Sequence, residues 1–315
     1  MTNFTFGSDP EFMLLKNGKY VSAIGVVPGT KDERHPIGDN SFYYDNVMAE
    51  CSIKPANTRQ EAIDYIGLAI KQFAGLVKPV KLIAQASQEY PAAELADPKA
   101  MEIGCSPELC AYEMAIVKPP QDQFKNGTLR TSGGHIHIGT QFPKTDEHCA
   151  AIFIRLMDLF VGLPSIYIDK DPTSAKRKEL YGKAGRFRLP DHGAEYRTMG
   201  NFWLSSPKLV GLVYDLTEFT VDFCETGKWK SLWEVNYKYF NSDAFWAKDG
   251  DFKNCQKCIG YDAVGVRSVV DTMDVVGGQK HLPLLKKLMP RTLYKQMMAA
   301  TEVKKPYDLY AEWGI

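Results

Sequence analysis

The chain has 315 residues, 44% of them hydrophobic, so it can bury a core as one large domain or as two intimate ones. Its 38 basic and 38 acidic side chains balance, which gives no electrostatic case for nucleic acid or an anionic membrane as the main partner. The most apolar stretch, residues 150–168, carries Arg155 and Asp158 and is predicted to be a buried helix rather than a membrane span. The N-terminus lacks the layout of a signal peptide, and seven scattered cysteines indicate reduced thiols. We therefore expect a cytoplasmic protein.

The first part of the chain has the composition of β-strands, because β-branched and aromatic residues alternate with Gly, Pro and Asn breaks. The predicted strands cover residues 4–15, 19–27, 41–53, 80–90 and 128–139. One helix, 58–77, interrupts them, and Thr58 three residues before Glu61 is typical of a capping box at its start.

From residue 145 onward the spacing of apolar residues predicts helices, interrupted by a strand pair at 185–190 and 193–200. The predicted helices cover residues 145–163, 172–181, 206–225, 262–276 and 283–302. The basic stretches 174–183 and 287–298 are interpreted as solvated helix faces, with contact to an acidic substrate as the alternative for either. This order predicts an α+β fold, with a mainly antiparallel curved sheet and helices packed on its outer side. We expect one catalytic domain over residues 1–315, with the motif-bearing sheet in 1–205 and a helical part in 206–315.

Several strands carry chemically active residues two apart, which places each pair on one face of its strand. These pairs are Asp9 with Glu11, His135 with His137, Arg186 with Arg188, and Glu195 with Arg197. A further carboxylate, Glu50, ends a strand before a bend.

Each pair alone is also what the solvated face of an antiparallel sheet would carry. Two features favour a ligand site. The residues are those of metal and phosphate chemistry, and glycines stand beside them at Gly7, Gly133, Gly134, Gly185 and Gly193. Glycine weakens a strand, so its presence indicates that a ligand or another backbone approaches closely.

Carboxylates with histidine suit a hard divalent ion such as Mg²⁺ or Mn²⁺ better than structural zinc. Together with several arginines, such an ion can stabilise charge on a transferring phosphoryl group. The sequence contains no P-loop motif and no convincing dinucleotide fingerprint. If ATP is used, the sheet itself must bind it.

The ordered motifs "GSDPEF", "NVMAECSIKPA", "GGHIHIG", "YGKAGRFRLP" and "EYRTMG" resemble those of the glutamine synthetase-like carboxylate–amine ligases. Within that superfamily they are most similar to the phage-type COOH–NH2 ligase (amidoligase) family, with glutamate–cysteine ligases as relatives. The resemblance covers about residues 5–200. It implies a glutamine synthetase-type catalytic sheet and the cofactors ATP and Mg²⁺ or Mn²⁺.

The resemblance also implies roles for individual residues. The metal ligands would be Asp9, Glu11, Glu50, His135 and Glu195. Asp9 is shorter than the glutamate usual at its position, which makes its direct ligation less secure.

The residues that the resemblance assigns to ATP are His137, Lys183, Arg186, Arg188 and Arg197. Of these, Lys183, Arg188 and Arg197 would act in catalysis. Lys183 replaces an arginine of the family and lacks its planar fork.

Further acids around the metals cannot all be placed, and Asp45 and Glu108 are the remaining candidates. "NCQKCIG" carries Cys255 and Cys258 at the spacing of half a zinc site, but no second pair follows, so a turn with two thiols is the better interpretation.

The relatives transfer the γ-phosphoryl group of ATP to a carboxylate, and an amine then attacks the acyl phosphate. We therefore expect an ATP-dependent acid–amine ligase that releases ADP and phosphate. Its partners would be small-molecule carboxylates and amines or a peptide or protein acceptor; a homo-oligomer is compatible with the sequence. Two alternatives stay open: a metal-dependent hydrolase or oxygenase using the His-x-His motif, and a catalytically silent binding protein on the same fold.

Overall fold

A computed structural model describes residues 4–102, 107–118, 121–235 and 256–315. Its strands are β1 (Thr5–Lys16), β2 (Lys19–Val21), β3 (His35–Ile37), β4 (Asn40–Asp45), β5 (Met48–Ser52), β6 (Lys81–Ile83), β7 (Ser87–Glu89), β8 (Glu108–Cys110), β9 (Ala115–Val117), β10 (Leu129–Thr131), β11 (Gly134–Gly139), β12 (Arg186–Arg188), β13 (Gly193–Tyr196), β14 (Trp233–Val235) and β15 (Gln256–Cys258). Its helices are α1 (Arg59–Leu76), α2 (Gln121–Asn126), α3 (Phe142–Thr145), α4 (Glu147–Met157), α5 (Leu163–Ile168), α6 (Ser174–Leu180), α7 (Pro207–Glu225), α8 (Ala263–Thr272), α9 (Val275–Gly278), α10 (Leu282–Leu288), α11 (Arg291–Thr301) and α12 (Leu309–Trp313).

The main sheet has the order β3-β4-β5-β1-β11-β13-β12-β8-β9, and β2 and β6 also pair with β1. Every pairing between these strands is antiparallel. The predicted α+β class with an antiparallel sheet is thus confirmed. β1 is the longest described strand and lies near the middle, so its side chains meet both halves of the sheet.

Alternation along the central strands separates an apolar face from a polar one. On β1, the rings of Phe6 and Phe12 contact Tyr214 of α7 and Phe73 of α1. On β11, Ile136 and Ile138 are fully buried, whereas His135 and His137, which alternate with them, point to the opposite face. The helices therefore cover the apolar face, and the candidate site lies on the other.

The predicted first helix is confirmed at its start, where Thr58 Oγ1 accepts a hydrogen bond of 3.2 Å from the Glu61 N–H. The prediction of one helix over 283–302 is wrong, because Met289 is extended and Pro290 separates α10 from α11. A residue before proline is pushed out of the helical region, which accounts for the break.

The segment Glu147–Ile168 is long and apolar enough to cross a membrane by length and composition, but 94% of its central window is buried inside the molecule. It runs through α4, a π-helical turn (Asp158–Gly162) and α5. Its burial is that of a core helix, as the sequence predicted from Arg155 and Asp158.

Candidate active site

The polar face of the sheet brings the predicted pairs together in register. On β1 and β11, Asp9 lies opposite His135 and Gly7 lies opposite His137. His137 is in turn opposite Glu195 of β13. Because these strands are adjacent, the five residues just named lie close together on the sheet, although they come from positions 7 to 195 of the chain.

Asp9 is the centre of this area. Its carboxylate oxygen Oδ1 lies 3.1 Å from His135 Nδ1 and 3.4 Å from His137 Nε2. The ligating atoms of Asp9, His137 and Glu195 all lie within 4.8 Å of one another. Burial raises the pKa of Asp9, but the imidazoles of His135 and His137 outweigh it and leave the pKa well below its ordinary value. Asp9 is therefore an ionised carboxylate.

Glu11 and Glu50 extend the carboxylate cluster toward β5, where they lie opposite each other. Burial is the largest cause that raises the pKa of both groups; acidic neighbours add to it, and for Glu50 those neighbours are Glu11, Asp9 and Asp45. Glu11 accepts a 2.6 Å hydrogen bond from the Gly133 N–H, and Glu50 Oε1 accepts one of 2.7 Å from Tyr43. The cluster is thus short of positive charge on this side.

Arginines form the other half of the site. Arg197 is 3% exposed; its guanidinium donates to Glu195, and its Nε donates to Glu108 Oε2 at 3.0 Å. Arg188 Nη1 lies 3.6 Å from Glu195 Oε2, and Arg186 Nε lies 3.8 Å from Glu108 Oε1. Burial raises the pKa of Glu195, but Arg197 outweighs it and leaves a net lowering. Glu195 therefore joins the carboxylate half to the guanidinium half.

Several buried polar atoms of the site make no hydrogen bond within the described residues. They are Asp9 Oδ1, Glu50 Oε2, His137 Nε2 and Arg186 Nη1. A buried polar atom without a partner costs free energy, so such atoms indicate a place for a ligand. Acceptor atoms lie on the carboxylate side and donor atoms on the arginine side, which suits a cation beside an anion.

Of the remaining candidates, Lys183 lies apart from this cluster and Asp45 lies at its edge, close enough to raise the pKa of Glu11 and Glu50. Lys183 is exposed, and within the described part of the chain its side chain makes no hydrogen bond or ion pair. Asp45 pairs with Lys31 at 2.6 Å on the rim. Cys255 lies outside the described residues, and Cys258 donates to the Tyr261 carbonyl at 3.0 Å.

The interpretation of 174–183 as a solvated face is wrong for two of its residues. Arg177 is 2% exposed and Lys178 is 7% exposed. Both donate to backbone carbonyls, Arg177 to Ser132 and Thr198, and Lys178 to Gly182 and Thr198. Because both residues are charged, the sequence analysis placed them on the surface. The only sequence signal that could have indicated their burial is their helical spacing relative to the glycine-rich strand. By contrast, Lys287, Arg291 and Lys295 in the second basic stretch are exposed as predicted.

Comparison with known families agrees with the motif analysis. Residues 126–247 match the family described as phage phiEco32-like COOH.NH2 ligase-type 2. No curated protein matches the chain. The matched range contains β11, β12 and β13, and the carboxylates of β1 and β5 lie outside it. Over residues 126–247 the chain is therefore similar to this COOH–NH2 ligase family, the group that its motifs resemble.

Proposed function

We propose that the protein is an ATP-dependent carboxylate–amine ligase that works through an acyl phosphate and releases ADP and phosphate. One observation carries the proposal beyond the family match. A carboxylate–histidine cluster and a row of arginines share one sheet face, and both have buried polar atoms with no hydrogen-bond partner among the described residues. Phosphoryl transfer needs this combination, because a metal–phosphate complex is positive on one side and negative on the other.

The residues present fit a hard divalent cation. Asp9 Oδ1, Glu50 Oε2 and His137 Nε2 are the buried acceptors without a hydrogen bond, and carboxylate oxygens are the ligands that Mg²⁺ and Mn²⁺ prefer. Glu11 and Glu195 would complete the set. When bound, the cation would neutralise charge on the phosphates. It would also favour the charged form of Glu50, whose pKa is raised by burial and then by its acidic neighbours.

The arginines would hold the group in transfer. Arg188 and Arg197 flank Glu195, which keeps both guanidiniums in place by charge pairing. A carboxylate oxygen of the substrate attacks the γ-phosphorus of ATP, and the bond to the ADP oxygen breaks. The amine nitrogen then attacks the acyl carbon, phosphate leaves, and the nitrogen loses a proton to give the amide. His137, beside Asp9, would lie against the phosphates.

The resemblance and the antiparallel sheet support a glutamine synthetase-type catalytic fold for the chain. The substrates would be small-molecule acids and amines or a peptide or protein acceptor, in the cytoplasm. A hydrolase or oxygenase built on the His-x-His motif would leave Arg186, Arg188 and Arg197 without a purpose, so no observation favours it.

The test is to incubate the protein with Mg-ATP and a cell metabolite extract. Products are identified by mass spectrometry as the sum of an acid and an amine minus water, and nucleotides are separated by chromatography. We expect ADP and a condensation product, both lost in Glu195→Gln and kept in the exposed control Glu89→Gln. AMP with pyrophosphate, or a product formed without ATP, contradicts the proposal.

A further inference from the structure

A pocket opens beside the carboxylate cluster, at the end of the site where Glu11 meets Gly133. Its empty volume is about 520 Å³. Its walls include Glu11, Met48, Phe124, Gly133, Arg177 and Arg197. The pocket therefore combines guanidinium groups with apolar side chains.

Arg177 is the unexpected charge in this wall. It is 2% exposed, and its Nε and Nη1 donate to the carbonyls of Ser132 at 2.8 Å and Thr198 at 3.2 Å. Within the described residues no carboxylate lies within ion-pair distance of it. Burial lowers its pKa to about 10, so it is still charged at neutral pH. A buried charge held only by carbonyl dipoles is costly, which indicates a role beyond packing.

The third nitrogen of Arg177 faces the space beside Gly133. Its Nη2 makes no hydrogen bond within the described part of the chain. A Cβ placed on Gly133 would lie 3.1 Å from Nη2 and 2.7 Å from His135 Nε2. The missing side chain of Gly133 therefore keeps open a cradle between the guanidinium and the imidazole.

The cradle lies at the opposite end of the site from His137, which would contact the phosphates. His137 is opposite Gly7 on β1, whereas Gly133 lies beside Glu11. Four residues of strand separate Gly7 from Glu11, about 13 Å at the usual rise. An anion in the cradle is therefore separate from the phosphate beside His137, whereas Arg197, which would hold the group in transfer, lines the same pocket.

We propose that this pocket binds the substrate carboxylate and that Arg177 holds it, with the adjoining carbon chain against Met48 and Phe124. The proposal rests on the ligase function only in naming the anion as a substrate of that reaction. Arg177 becomes a specificity-determining residue for acids. Its Nη2 can donate to a carboxylate while Nε and Nη1 stay bonded to Ser132 and Thr198, an arrangement that the single ammonium group of a lysine cannot reproduce.

The test is an NMR titration of ¹⁵N-labelled protein in metal-free buffer, so that no metal recruits the anion. The probes are sodium acetate, sodium phosphate and, as an ionic-strength reference, sodium chloride. We expect acetate to shift the Gly133 amide and the Arg177 Nε–H saturably. Arg177→Lys should weaken acetate binding by about tenfold. The control Lys176→Arg, on the same helix but at an exposed position, should bind acetate as the wild type does.

If Arg177→Lys does not fold, a second variant tests whether the pocket binds acetate. Gly133→Ala keeps every donor but fills the cradle, and it should also lose acetate binding; the control Gly75→Ala, whose added Cβ meets nothing within 4 Å, should not. Acetate shifts no larger than those of chloride, tighter binding of phosphate than of acetate, or unchanged binding in Gly133→Ala each overturn the proposal. Mg-ATP binding by calorimetry is measured separately. If ATP fails to bind the wild type, the ligase function fails while the acetate result stands.

Discussion

Two isosteric substitutions in one site should change stability in opposite directions. Glu50 is 4% exposed, its Oε2 has no hydrogen-bond partner within the described residues, and burial and then Glu11 and Asp9 raise its pKa well above the ordinary value. Glu50→Gln removes a negative charge from this cluster and adds an amide that can donate to it. In metal-free buffer the free energy of unfolding should rise by about 1–3 kcal/mol.

Glu195→Gln should have the opposite effect. Glu195 accepts from Arg197 and lies 3.6 Å from Arg188, so its loss leaves buried guanidiniums with less compensation. The loss should be about 1.5–3 kcal/mol. A 315-residue chain has an unfolding entropy of about 0.7 kcal/mol/K, so the melting temperature should rise by about 2–4 °C for one variant and fall by about 2–4 °C for the other.

The assay is thermal denaturation followed by circular dichroism, in metal-free buffer and again with Mg²⁺ and ATP. Both variants should lose ADP release, and neither should gain the stabilisation that bound ligand gives the wild type. Glu89→Gln, whose side chain is 48% exposed, should stay within about 0.5 kcal/mol of the wild type. If Glu50→Gln destabilises the metal-free protein by more than that, the carboxylate cluster is not short of positive charge and the reasoning fails.

Three further predictions concern neighbouring groups. Arg197→Lys should still bind ATP but slow ADP release by about 10²-fold, because the planar fork is lost, while the exposed Arg59→Lys leaves it unchanged; equal rates in the two would contradict the site. His135→Ala should abolish Mg²⁺-dependent turnover and keep the circular dichroism of the wild type. Normal turnover in this variant would show that His135 is not part of the site. Burial raises the pKa of Asp158 to about 7, so its folded state loses stability as pH rises from 3.8 toward 7. Asp158→Asn, which keeps an acceptor for the 2.6 Å Tyr196 hydrogen bond, should therefore stabilise the protein at pH 8 and change it little at pH 3.5, as denaturant titrations at the two pH values will show.

The sequence predicted those features of the candidate site that depend on which side chains share one face of a strand. The alternation of side chains between the two faces of a strand is a local property. The order of residues therefore predicted which strand face carries Asp9 and which carries His135. Register is not local. That Glu11 meets Glu50 follows from pairing across a bend, and the sequence left it undetermined.

Charged residues were the least predictable. A lysine- and arginine-rich helix is ordinarily solvated, and nothing local distinguishes Arg177 from Lys183. The structure buries Arg177 because carbonyls of two separate loops, at Ser132 and Thr198, accept its hydrogen bonds. Those acceptors come from residues 45 and 21 positions away in the chain, so only the tertiary fold reveals them.

The central position of β1 has a consequence for how the protein is made. The Ser8 hydroxyl donates to the His135 carbonyl across 127 residues, and every other pairing between β1 and β11 also joins residues more than 120 positions apart. At a synthesis rate of about 5–20 residues per second, β1 leaves the ribosome about 6–25 s before its main partner exists. During that interval β2, β5 and β6 are the described strands that can already pair with β1, whereas the edge at residues 5–10 that β11 covers stays open. The candidate site is therefore completed late in synthesis, and a segment restricted to residues 126–247 would be translated without the acidic half of that site.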